Sequence, residues 1–220
     1  MRLNQRGPLK THEVMGDPQK PVIILFHGYG ADAMDLASLA EATPGLEEWT
    51  WIFPQGVFEV PIGPGWTGRA WWPIDLEKIA APRDISQESP KELPEVRKKA
   101  LDMIATLKRP WSEIVLGGFS QGGMLAADVA LHASENPRNL VLLSTALIHK
   151  SGWLPVAKQR EGLSFYQSHG TNDSVIDIKN AQRLESFLTS NGLKGKLRNF
   201  SGGHEIPPTV LREMAQFLQD

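Results

Sequence analysis

At Gly118-Phe119-Ser120-Gln121-Gly122 the sequence sets a serine between two glycines, directly after the apolar run Ile114-Val115-Leu116-Gly117 and just before a helix-forming stretch at 124–130. The implied order is strand, sharp turn, helix. A G-x-S-x-G turn in that setting is the pattern of a nucleophile elbow, in which a strained backbone lifts the serine hydroxyl above a sheet. The glycines have a steric reason. Strand and helix meet so tightly that a Cβ at 118 or 122 would strike the crossing backbone, and Gly123 gives room for close helix packing. Such a turn needs buried strands beside it, so the rest of the chain decides what the pentapeptide means.

Residues 21–26, Pro-Val-Ile-Ile-Leu-Phe, are continuously apolar and β-branched, as expected of a strand covered on both faces of a parallel sheet. Further strands are expected at 49–53, 140–144, 163–168 and 196–200, with a weak edge strand at 9–15. Helices are expected at 32–42, 95–107, 179–190 and 207–218, the last opening with prolines that suit a first turn. Strand and helix alternate, which is the α/β pattern. Between about 57 and 94 the periodicity lapses into a Pro- and Gly-rich excursion carrying Trp66, Trp71 and Trp72. That length exceeds an ordinary connection and suggests a functional loop or small lid. With 220 residues and 41% hydrophobic content, residues 1–220 are expected to form a single domain with a sizeable core.

The net charge of −2 gives no reason to expect nucleic acid or an acidic membrane surface as a partner. The absence of cysteine excludes disulfides, thiolate metal sites and a cysteine nucleophile. No signal peptide is recognisable and no apolar run approaches the roughly 18 residues of a membrane span, so a cytoplasmic location without stable membrane insertion is expected. A zinc-protease helix is not present, because His204-Glu205-Ile206-Pro207-Pro208 lacks its second histidine. Gly28-Tyr29-Gly30 lacks the third glycine of a dinucleotide loop.

A serine hydroxyl needs a histidine to take its proton and a carboxylate to orient that histidine. Ser120, Asp173 and His204 follow the chain order serine, acid, histidine of an α/β-hydrolase, each on a loop after an expected strand. Those strand ends are where an open parallel sheet places its ligand crevice. The backbone N–H of Gln121 is the first candidate oxyanion donor, and the second is the N–H of Tyr29 in the early loop His27-Gly28-Tyr29-Gly30.

The motifs Leu25-Phe26-His27-Gly28-Tyr29-Gly30, Gly118-Phe119-Ser120-Gln121-Gly122-Gly123, His169-Gly170-Thr171-Asn172-Asp173 and Gly203-His204-Glu205-Ile206 together resemble the phospholipase/carboxylesterase family of serine esterases, which includes acyl-protein thioesterases. The resemblance covers nearly the whole chain. It implies an α/β-hydrolase fold, with a mostly parallel central sheet and helices on both faces. It also implies hydrolysis of carboxylic esters, thioesters or lysophospholipids without cofactor or metal, on a small-molecule ester or acylated substrate. In that family Ser120 matches the nucleophile, His204 the base, Asp173 its orienter, and Tyr29 and Gln121 the oxyanion donors. The chain departs from the family at Asp177, where a proline is usual, and at Trp71-Trp72-Pro73-Ile74-Asp75, where Trp-Tyr-Asp is common. The second departure predicts a bulkier acyl pocket.

Each assignment has a rival. Asp173 sits in good turn chemistry, Asn172-Asp173-Ser174, and Asp177 is a second carboxylate nearby. His27 and His169 also stand at strand ends, where bracing of neighbouring loops explains them. Trp66, Trp71 and Trp72 are candidates to contact substrate, or else bury themselves to anchor the loop. Arg69 either meets an anionic substrate group or lies solvated. A hydrolase-fold receptor without catalysis, a peptidase, a lipase and a thioesterase all remain compatible with the same fold.

Overall fold

The apolar runs become the middle of an eight-stranded sheet. The computed structural model describes residues 3–74 and 83–220. Its strands are β1 (Asn4–Arg6), β2 (Leu9–Val14), β3 (Val22–Phe26), β4 (Thr50–Pro54), β5 (Phe58–Gly63), β6 (Trp66–Ala70), β7 (Ile114–Phe119), β8 (Asn139–Leu143), β9 (Ser164–Gly170) and β10 (Lys194–Phe200). Its α-helices are α1 (Leu39–Ala42), α2 (Leu93–Ala105), α3 (Gln121–His132), α4 (Lys150–Ala157), α5 (Ile178–Ser190) and α6 (Pro208–Gln219). The large sheet runs β1-β2-β4-β3-β7-β8-β9-β10. Pairing is parallel from β4 to β10 and antiparallel only at the β1/β2 and β2/β4 edge.

Alternation along each strand divides the core between two faces. Val22, Ile24 and Phe26 pack with Leu116 and Leu142 under α2, α3, α4 and α5, whereas Ile23, Leu25, Val115 and Val141 pack under α1 and α6. Each such aliphatic side chain, fully buried, contributes about 1.5–3 kcal/mol. The amphipathic faces of α5 and α6 carry Leu184, Phe187 and Leu188, and Val210, Leu211, Met214 and Leu218, respectively.

Four local expectations change. Helix is confined to Leu39–Ala42 within 32–42, because the Met34 N–H is taken by Asp32 Oδ1 at 2.7 Å and the Ala33 N–H by Gln55 Oε1 at 2.7 Å. The excursion at 57–94 contains an antiparallel hairpin, β5 with β6, turning at Gly65 with φ 76°. The polar stretch after β8 holds α4, and a short β1 lies outside β2, which is therefore not the edge. Residues 75–82 of the excursion lie outside the described residues. Among those described, no helix is long and apolar enough to cross a membrane.

Candidate active site

The parallel sheet delivers its loops to one end. β3 leads into His27, β7 into Ser120, β9 into the Asp173 loop and β10 into the His204 loop. Ser120 joins β7 to α3 at φ 55° and ψ −120°, a conformation that side chains rarely adopt. It is anchored by its own backbone: its N–H donates to Leu143 O at 2.9 Å, and Thr145 Oγ1 donates to its carbonyl at 2.7 Å. The elbow glycines are required sterically. A Cβ on Gly118 would lie 2.2 Å from the Gly122 backbone, and one on Gly122 would lie 2.1 Å from Phe26 O.

The structure joins His204 to Asp173. His204 Nδ1 donates to Asp173 Oδ2 at 2.7 Å, which leaves Nε2 free to accept a proton. Asp173 Oδ1 accepts the N–H groups of Val175 at 2.8 Å and Ile176 at 2.9 Å. Burial pushes the Asp173 carboxyl up, but the His204 contact and these two N–H groups outweigh it and hold it below the usual carboxylate range. Backbone bonds from Thr171 N–H to Phe200 O and from Asn172 N–H to Gly202 O, both 2.9 Å, fasten the two loops together. Asp177 does something else: it caps α5, accepting the Lys179 N–H at 2.8 Å. Asp177 lines the same cavity and forms no hydrogen bond with His204.

Ser120, His204, Asp173, Tyr29 and Gln121 all line one cavity of about 560 Å³. Ser120 and His204 form no mutual hydrogen bond among the described residues; that contact commonly tightens only when substrate binds. The N–H groups of Tyr29 and Gln121 donate to no acceptor among the described residues, whereas the N–H of the next residue in the early loop, Gly30, is taken by Arg69 O at 2.8 Å. Much of the wall is apolar, from Trp72, Ile74, Ile85, Phe119, Met124 and Ile148. The Phe119 ring lies 4.7 Å from that of His204.

The three candidate tryptophans separate. Trp72 lines the cavity and is 3% exposed. Trp71 does not reach it: the indole is fully buried, edge-on to Phe26 at 5.2 Å, and donates to His27 O at 2.9 Å. Trp66 does not line it either. It stands at the start of β6 beside the hairpin turn and is 72% exposed, whereas Gly68 and Ala70 further along the strand are buried. Arg69 does not line the cavity and is part-exposed, its guanidinium donating to Gly56 O at 2.9 Å and Val57 O at 3.3 Å and lying 3.6 Å from the Glu59 carboxylate.

His27 and His169 are braces. His27 Nδ1 donates to Gly28 O at 2.7 Å while Nε2 accepts the Gly56 N–H at 2.9 Å, and burial pushes this imidazole down to about 4. His169 Nε2 donates to Ile176 O at 2.8 Å and lies 3.3 Å from Asp173 Oδ2; burial likewise lowers its pKa. Ile74 falls in the stretch expected to bulk the acyl pocket, whereas Ile85, Met124, Ile148, Val175 and Ile176 line the cavity without having been singled out by any motif. The one available signal was position, since Val175 and Ile176 follow the acid and Ile148 follows β8.

The chain is similar to known proteins in sequence and in fold. The acyl-protein thioesterase 1 of Eremothecium gossypii is 26% identical over 210 residues, spanning 92% of this chain and 88% of that protein. The crystal structure of the Bacillus cereus carboxylesterase superposes with a TM-score of 0.74 at 20% identity, covering 96% of this chain and 93% of the other. That of a carboxylesterase from Mesorhizobium loti superposes at 0.78 and 17% identity, covering 99% and 98%. Both likenesses show the shared α/β-hydrolase fold. The sequence model of the phospholipase/carboxylesterase family matches residues 12–220, and the chain belongs to that family.

Proposed function

We propose that the protein is a serine carboxylesterase in which Ser120 attacks the ester carbonyl, His204 takes its proton, and Asp173 holds the resulting imidazolium. The oxyanion that forms as the C=O π bond opens is received by the N–H groups of Tyr29 and Gln121. Collapse of the tetrahedral adduct expels the alcohol, protonated by His204, and leaves an acyl-Ser120. Water, deprotonated by His204, then adds to the acyl carbon, and release of the acid restores Ser120. The single observation that carries this reading is the 2.7 Å bond from His204 Nδ1 to Asp173, made in a cavity that Ser120 also lines from a positive-φ turn.

The test is Ser120→Ala assayed with p-nitrophenyl acetate. Turnover is expected to fall by roughly 10⁴-fold or more while the melting temperature stays near that of the wild type, because Ser120 Oγ makes no hydrogen bond that folding relies on. A variant hydrolysing the ester at the wild-type rate would sink the mechanism. A second reading is favoured by the curated relatives, whose name is acyl-protein thioesterase: the leaving group is a thiol, and the acylated partner a protein. Ester, thioester and amide substrates sharing one acyl chain, assayed side by side, separate these, with the highest kcat/KM marking the leaving group.

A further inference from the structure

Gln121 commits its side chain away from the reacting atoms. Its Oε1 accepts the Trp71 N–H at 2.9 Å, and its Nε2 donates to the Trp72 C=O at 2.8 Å. The residue is 1% exposed, so water cannot replace either partner. The amide orientation follows from the partners, because a flipped group would set NH₂ against N–H and carbonyl against carbonyl. Trp71 then reaches on through its indole N–H to His27 O, two residues before Tyr29. A continuous chain of hydrogen bonds thus links residue 121, the Trp71-Trp72 pair and the loop that holds the second proposed oxyanion donor. Trp72, gripped through its carbonyl, is the member of the pair that lines the cavity.

We propose that the Gln121 carboxamide is a positioning residue for acyl selection, fixing Trp72 as the wall of the acyl site in register with the oxyanion donors. The inference rests on the ester-hydrolysis reading. A glutamine suits the position because it presents an acceptor and a donor side by side, matching one peptide N–H and one peptide C=O as a strand neighbour would. Methionine has similar length and volume and neither group.

The experiment measures kcat/KM for p-nitrophenyl acetate and p-nitrophenyl octanoate in the wild type, Gln121→Met, Trp72→Ala and the double variant. Gln121→Met is expected to move the octanoate-to-acetate ratio by about tenfold, the scale of buried hydrogen bonds lost. In the Trp72→Ala background it is expected to move that ratio by less than about twofold, because the wall it positions is gone. Equal loss on both esters, additive shifts in the double variant, or an unchanged ratio in Trp72→Ala would each overturn the proposal. If Gln121→Met does not fold, Gln121→Glu serves. Its protonated carboxyl restores the donor and its carboxylate does not, so the ratio is expected to return toward wild type as pH falls through the titration of the introduced carboxyl, followed by its infrared band, and a ratio that does not follow that titration overturns the proposal. A wild-type protein that hydrolyses neither ester would instead remove the esterase reading itself.

Discussion

Ser120 holds backbone angles that cost on the order of 1–3 kcal/mol, a strain the surrounding contacts must offset. Leu143 O and Thr145 Oγ1 fix its peptide groups, so the side chain is left without a structural duty. The neighbouring carboxylates divide their work in a way that mutagenesis can separate. Asp173→Asn keeps the shape but presents the wrong partner to His204 Nδ1, and kcat is expected to fall about 10⁴-fold. Asp177→Asn still caps α5 and is expected to leave kcat within about twofold, as asparagine caps helices as well as aspartate does. Steady-state kinetics on the two variants checks this, and equal losses would contradict the division. Chain order and strand-end position made Asp173 and His204 visible in the sequence. The difference between Trp71 and Trp72 was not visible, because it depends on which of two adjacent indoles turns toward His27, and only the fold decides that.

Among the elements, those that open on unbroken apolar runs were legible: Val22–Phe26 and Ile114–Phe119 are buried along most of their length, as a strand covered on both faces must be. The β5/β6 hairpin was not legible, because Pro61, Gly63, Gly65 and Gly68 erase the alternation a strand would show. The helix Lys150–Ala157 was hidden by Gly152 and Pro155, and Asn4–Arg6 is too short and polar to signal a strand. The hairpin and the segment after it make different contacts. β6 ties to the loop after β3 through backbone bonds from Gly30 N–H to Arg69 O and from Arg69 N–H to Ala31 O, while Trp72 beyond it lines the cavity. Trp72→Ala is therefore expected to shift the chain-length optimum of a p-nitrophenyl ester series. Trp66→Ala, at the exposed end of β6, is expected to leave it in place. A shift in Trp66→Ala alone would reverse the assignment.

For the whole molecule, buried neutral histidines set the direction of the pH response. His27 titrates near 4 when folded against an ordinary value of 6.5, so between those values the unfolded chain binds more protons than the folded one. Stability must then rise with pH across that window, and His169, lowered by its own burial, acts in the same direction. His27 alone is expected to remove about 2 kcal/mol at pH 5 relative to pH 8. The Asp173 contribution is present above the unfolded carboxylate value and is lost at still lower pH, as its depressed folded pKa requires. Urea midpoints at pH 5 and pH 8 check the sign, and a midpoint that is flat or higher at pH 5 would contradict it. Ester hydrolysis by this protein requires that the fold activate one serine. A fluorophosphonate applied to the native protein, followed by digestion and mass spectrometry, tests it directly. A single covalent adduct on the peptide carrying Ser120 is predicted, and a folded protein left unlabelled at Ser120 would contradict it.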